Sequence, residues 1–355
     1  MAKFAAVAAL LALSAGVLAH PDKPHEIRAH LETRSRVASY AKRAVEKCSA
    51  SAEAAAVRER AVARRSNKLE ALRQKRGIQA PTGDLERRAD KAAFEKYNGI
   101  SHDRTPGGFN RDTPAKDLFA DNATSALMPE TIIGPYYVEG ELQRTDLTDG
   151  QAGVPTHLDF QFIDINTCKP MPNLLIDIWS ANSTGVYSGV AAPLQGGVNT
   201  THGRGVQTSD ADGVVQFDSI FPGHYVGRTN HFHVMSTDGA NVMPNGTFEG
   251  GNVRHIGQVY FDPSLISAVE ALEPYKSNEQ AVTSNTEDEF TADVASEDFD
   301  PFMNYAYLGE NPQDGVLMWL TIGLDPVADY NKNRTPASHW YSDGGVDLTN
   351  GTPLP

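Results

Sequence analysis

The chain has 355 residues, 40% hydrophobic and 21% charged, with a formal net charge of −14. At about 150 residues per domain there is room for one to two domains with a full core, and the composition excludes a wholly disordered or collagen-like chain. The charge is uneven: residues 28–76 carry 14 Lys/Arg against 5 Asp/Glu, while residues 77–355 carry 15 against 38, so most of the chain would repel phosphate and is not expected to bind nucleic acid.

Residues 1–19 read as a secretory signal peptide. Lys3 precedes an apolar run, Phe4–Leu18, that ends in Val17-Leu18-Ala19. The run is shorter than the roughly 20 residues needed to span a bilayer, so a secreted, extracellular protein without a membrane segment is expected. Six N-x-S/T sequons, at Asn122, Asn182, Asn199, Asn245, Asn333 and Asn350, fit that route as glycosylation sites. The two cysteines, Cys48 and Cys168, are expected to form a disulfide in an oxidising compartment, against the alternative of two buried thiols. Cleavage after Ala19 leaves His20 first, which keeps open a copper enzyme that uses the N-terminal amine and imidazole.

Residues 20–77 form a basic arm, helical from about residue 26. Val37, Tyr40, Ala41, Ala44, Val45 and Cys48 recur at i, i+3, i+4 and i+7, and Leu69 and Leu72 close the pattern before Gly77. The stripe is narrow, so the helix needs a partner surface, and a homodimer through the arm is one candidate. The remaining Arg/Lys-rich faces, including the pairs Lys42-Arg43, Arg64-Arg65 and Lys75-Arg76, read as solvated rather than as processing sites. His25-Glu26 and His30 are one residue too far apart for a zinc-protease helix motif, because residues at i and i+5 do not share a helix face.

Residues 78–127 read as a linker with short helices, rich in Pro and Gly turns. From Met128 the pattern changes to strands: Leu158–Ile165, Leu174–Trp179, Val214–Phe217, Phe232–Met235, Gln258–Phe261 and Val316–Ile322. Turns at Lys169-Pro170, Asp212-Gly213, Pro222-Gly223, Asp262-Pro263 and Asp314-Gly315 separate them, which predicts a mainly β domain, a sandwich or barrel, over 128–325. Residues 280–300 read as an acidic loop and 326–355 as a Pro/Gly-rich tail.

The chemistry concentrates in residues 174–261. His231 and His233 stand at i and i+2 on a strand, so both imidazoles point to one face about 7 Å apart and can converge on a metal; two solvated histidines fit the same pattern. Tyr225 lies six residues and Arg228 three residues before His231, and no Cys or Glu stands close enough to complete a zinc set. Phenolate oxygens suit a hard trivalent ion, and two tyrosinates with two histidines leave Fe(III) at net +1. Trp179 reads as core beneath the site, His202, His224 and His255 as loop residues, and Asp210-x-Asp212-Gly as a turn rather than a calcium loop. There is no G-x-S-x-G elbow and no phosphate-binding glycine loop.

Three segments resemble the intradiol ring-cleavage dioxygenases, non-haem iron(III) enzymes that open catechols between the hydroxyls, and their secreted fungal-type branch above all. They are Ile133-Gly-Pro-Tyr-Tyr-Val-Glu-Gly-Glu-Leu142, Asp177-Ile-Trp-x5-Gly-x-Tyr187 and Ser209-Asp-Ala-Asp-Gly-Val-Val-Gln-Phe217. The resemblance covers roughly residues 128–325. It implies a sandwich of two mixed sheets with the iron between them, Tyr187, Tyr225, His231 and His233 as metal ligands, and Arg228, Tyr225 and Gln258 as catalytic residues. It further implies Fe(III) as cofactor, and a small aromatic diol and O2 as partners, converted to a cis,cis-muconate-type diacid. The run from His233 to Gln258 is longer than the family's. A non-catalytic aromatic-binding or adhesion module on the same fold stays as the alternative from another function class.

Overall fold

Strand β3, Pro155–Asp164, is buried along almost its whole length on both faces, which requires a layer on each side of its sheet. The computed structural model describes residues 52–78, 98–104, 133–288, 290–291 and 300–350, and the backbone of 124–125. In chain order the elements are α1 (Ala52–Arg76), β1 (Thr124–Ser125), β2 (Val138–Glu139), β3, β4 (Leu175–Trp179), β5 (Arg204–Thr208), β6 (Val214–Ile220), β7 (His231–Asp238), β8 (Asn241–Val242), β9 (Phe248–Glu249), β10 (Asn252–Tyr260), α2 (Pro263–Glu270), β11 (Asn304–Tyr307), β12 (Val316–Leu324), β13 (Ser338–Tyr341) and β14 (Gly344–Asp347). Among the described residues no helix is long and apolar enough to cross a membrane.

The mainly β architecture expected from the sequence is present as two packed sheets. One runs β1-β12-β3-β6 with β11 beside β12 and mixes parallel and antiparallel pairs; the other, β10-β7-β4-β5, is antiparallel throughout. The family-implied pair of mixed sheets is corrected to that extent. The core between the sheets takes Phe160 and Phe162 from β3, Ile176 and Ile178 from β4, Phe232 and Val234 from β7, and Leu320 and Ile322 from β12. Period-two alternation sends the residues between them to the outer faces.

Helix α1 covers the outer face of the mixed sheet. Leu69 and Leu72 pack on Ala306, Leu308, Leu317 and Trp319. Of the basic residues expected to be solvated, Arg64, Arg65 and Arg73 are instead docked, while Arg60, Lys75 and Arg76 are exposed. Arg64 and Arg65 donate to the buried Asp159 carboxylate at 2.8–3.0 Å, and Arg73 donates to the carbonyls of Leu308 and Tyr307. Gln216 completes the set with a 2.7 Å bond to Asp159. Burial alone would raise the Asp159 carboxyl, but Arg65 and Arg64 hold it well below the usual range. A buried guanidinium needs such a partner, which is why an arginine-rich helix settles on this sheet with only a thin apolar stripe.

The segment read as a Pro/Gly-rich tail carries β13 and β14. β13 pairs with β14 and, in parallel, with β2, and Arg334 bridges to Glu139 at 2.8 Å. The run between His233 and Gln258 also resolves simply. β7 and β10 form a hairpin with Gln258 opposite His233, and the additional residues carry the small β8–β9 ladder beyond it.

Candidate active site

The site lies on the outer face of the antiparallel sheet. His231 and His233 alternate along β7 with Phe232 and Val234, which belong to the inter-sheet core, so the imidazoles point away from that core. Trp179 pairs with His233 across β4, and Gln258 and Tyr260 pair with His233 and His231 across β10. The implied metal position between the two sheets is therefore corrected: the candidate donors face outward, and a layer of loops covers them.

Two loops complete the set. The β4–β5 connection delivers Tyr187, which is 1% exposed. Arg204 on β5, wholly buried, donates to the carbonyls of Ser188 and Tyr136 at 2.7 and 2.6 Å and so ties that loop to residues 133–141. The former tail contributes as well, since Ser338 Oγ donates to the Gly189 carbonyl. Tyr225 and Arg228 are the ends of a turn closed by Arg228 N–H to Tyr225 C=O at 3.0 Å, with Gly227 at φ +83°, a conformation that favours glycine. Gly134 in the covering segment has φ +80°, and a Cβ there would stand 3.1 Å from His233 Cε1, so only glycine lets the backbone close over that ring.

These elements bring four donor atoms together. Tyr187 Oη and Tyr225 Oη each lie 3.4 Å from His231 Nε2, and His231 Nε2 lies 3.2 Å from His233 Nε2. Metal–donor bonds of about 2.1 Å place neighbouring donors roughly 3 to 3.6 Å apart, so the spacing suits a single ion. His231 Nδ1–H donates to the Thr229 carbonyl at 2.6 Å, which turns its Nε2 lone pair toward the other donors. His233 is held differently, with its ring stacked on Trp179 at 4.7 Å and 7°. Burial, and then the charge of Arg228, lower His231 to about 3; burial and the neighbouring His231 hold His233 well below its ordinary value, so both imidazoles are neutral and fit for ligation. Burial raises Tyr187 and Tyr225, whose phenols need a bound cation to ionise. Among the described residues no three His, Cys, Asp or Glu side chains cluster to hold a metal ion, so the tyrosines are what complete this donor set.

Arg228 and Gln258 meet beside the donors. Arg228 Nη2 donates to Gln258 Oε1 and lies 3.3 Å from Tyr260 Oη, and Tyr260 donates to Gln258 at 2.8 Å. Sequence reasoning missed Tyr260, which shares a strand face with Gln258 two residues away, and Asp288, which ion-pairs Arg228 at 2.9 Å. The span read as an acidic loop thus contains a buried carboxylate. His224 is buried and bonded to Glu270 at 2.9 Å, His202 is buried against the Val186 carbonyl, and His255 stands on β10 rather than in a loop.

Of the sequons, Asn199, Asn245, Asn333 and Asn350 are exposed, whereas Asn182 is half-buried and its amide donates to Gln151 at 2.9 Å. Cys168 is disulfide-bonded. Cys48, His20, Asn122 and the signal segment lie outside the described residues.

Residues 132–243 match the family model Dioxygenase_C, described as dioxygenase, and all four donors fall within that match. That match lies within the stretch, roughly residues 128–325, whose motifs resemble the intradiol ring-cleavage dioxygenases. Among solved structures the chain is similar to an intradiol ring-cleavage dioxygenase from Tetranychus urticae (26% identity, covering 58% of this chain and 98% of that one, TM-score 0.49). It is also similar to the dioxygenase domain of a dioxygenase–carbohydrate-binding fusion from Streptomyces sp. SirexAA-E (28% identity, 56% and 98% covered, TM-score 0.36) and to catechol 1,2-dioxygenase from Pseudomonas arvilla C-1 (20% identity, 59% and 67% covered, TM-score 0.39). No curated protein matches the chain.

Proposed function

We propose that the protein is a secreted intradiol dioxygenase. It takes a catechol-type diol and O2 to a cis,cis-muconate-type dicarboxylic acid, with Tyr187, Tyr225, His231 and His233 holding one Fe(III). The observation that carries this reading is the convergence of two phenols and two neutral imidazoles at 3.2–3.4 Å on one covered sheet face. Bound there, Fe(III) supplies a Lewis acid and a template for the two catechol oxygens.

The chain's own residues divide the remaining work. Of the two tyrosines that would hold the ion, Tyr225 is half-buried and ends the turn that carries Arg228, and its Oη would be the one to take a proton from a catechol hydroxyl. Tyr187, buried and braced through Arg204, stays. Arg228 sets a fixed positive charge beside Tyr225, where it would stabilise the charge that develops on the ring as one ring oxygen ketonises. Gln258 and Tyr260 hold Arg228 Nη2. Both oxygen atoms of O2 enter the diacid, so no external reductant is consumed. The disulfide from Cys168 to Cys48 and glycosylation at the exposed sequons accompany the secreted reading.

Metal analysis with oxygen uptake on a catechol panel and product identification tests this. About one iron per chain, a visible tyrosinate-to-iron band and a muconate-type product are expected. Iron-free protein that cannot be reconstituted points to the binding-module alternative, and copper in place of iron to the His20 alternative.

A further inference from the structure

Asp288 belongs to neither sheet, yet its side chain is wholly buried at the candidate site. Its Oδ2 accepts from Arg228 Nε at 2.9 Å and from the Thr229 N–H at 2.8 Å. Its Oδ1 accepts from the N–H groups of Phe290 and Thr291 at 2.9 and 3.2 Å, which fix the carboxylate in turn. The Phe290 ring lies 4.5 Å from the guanidinium carbon of Arg228. Neighbouring Asn285 pins the same segment, accepting from Thr229 Oγ1 at 2.7 Å and donating to the Phe261 carbonyl at 2.9 Å.

Two consequences follow from the chemistry. A buried guanidinium is costly without a compensating charge, and Asp288 is the carboxylate bonded to Arg228. The other polar partners of Arg228, Gln258 and Tyr260, are neutral and grip a different nitrogen, and a charge-assisted bond is roughly twice as strong as a neutral one. The same carboxylate oxygen also reads the N–H of Thr229, whose carbonyl accepts from His231 Nδ1.

We propose that Asp288 is a positioning residue that holds Arg228, through Nε, in the orientation needed beside Tyr225, with Phe290 closing the other side. It touches neither substrate nor reacting atoms, and the inference rests on the role given above to Arg228. Asp288→Ala is expected to lower kcat by about 10- to 100-fold, the usual range for removing a supporting partner, with KM little changed. Iron content and the tyrosinate band are expected to stay. In an Arg228→Ala background the same substitution should cost almost nothing further, because residues that act as a unit do not add. Asp288→Asn keeps an acceptor oxygen and should fall between the two.

A readout independent of turnover is labelling by an arginine-directed dicarbonyl reagent, mapped by mass spectrometry. Arg228 should be protected in the native protein and labelled in Asp288→Ala, with the buried Arg204 protected in both. Additive losses in the double variant, or an Arg228 that stays protected without Asp288, overturn the proposal. Labelling of Arg204 as well reports unfolding, and Asp288→Asn then decides the matter by the same comparison. Native protein without iron or turnover defeats the dioxygenase reading, while the labelling pattern still reports whether Asp288 holds Arg228.

Discussion

The two outer faces of the sandwich both bury polar and charged side chains, and they do so in opposite ways. On the mixed sheet, Asp159 is enclosed by Arg64, Arg65 and Gln216, each within 3.0 Å. On the antiparallel sheet, two phenols and two imidazoles point their donor atoms at one another, and Trp179 Nε1 and His233 Nδ1 have no hydrogen-bond partner among the described residues. Paired charge is how a chain glues a helix to a sheet. Two phenols and two neutral imidazoles that converge on one buried point suit a ligand set. The difference separates a docking face from the candidate catalytic face, although both are covered.

The largest expected effect is on the candidate catalytic face. Tyr187→Phe removes a phenol braced for permanent ligation, so iron and visible colour should be lost and turnover should fall to background, as metal analysis and absorbance would read. Tyr225→Phe should retain part of the iron and fail at substrate deprotonation. Equal iron loss in both variants would erase the distinction drawn between the two tyrosines.

Next comes the docking face. Asp159→Ala leaves Arg65 buried without its carboxylate, and such uncompensated charges cost about 3–5 kcal/mol. Denaturant melts should show the loss, while kcat per folded molecule stays at the native value. A matching fall in kcat would mean the two faces are coupled.

Arg228→Ala should keep iron and colour but lose roughly 10²–10³ in kcat, comparable to deleting an oxyanion-type donor. A change confined to KM would make Arg228 a substrate-binding residue instead.

The smallest effect concerns a buried histidine away from both faces. Burial alone would lower His102, but its bonds to Asp262 and Asp300 raise it to about 9. A raised histidine stabilises the fold fully below its unfolded value near 6.5, and that contribution is lost as pH rises through about 9. Stability should therefore fall by up to about 3 kcal/mol between pH 6.5 and 9.5, and His102→Gln should flatten that slope in urea titrations.

Much of the molecule was legible along the chain because it depends on local periodicity. Alternation marked β3, β4, β6, β7, β10 and β12. The i, i+2 spacing put His231 and His233 on one face, and the turn signals fell between the strands. What tertiary structure decided is which face each residue serves and which distant groups meet. Arg64 and Arg65 pair with a carboxylate 95 and 94 residues away, and Arg228 pairs with one 60 residues away. No local pattern separates Arg65 from a solvated arginine, or Asp288 from its acidic neighbours. The identity of such a charge's partner is set by strand order and packing, and burial then turns an ordinary surface residue into one that the fold and the site depend on.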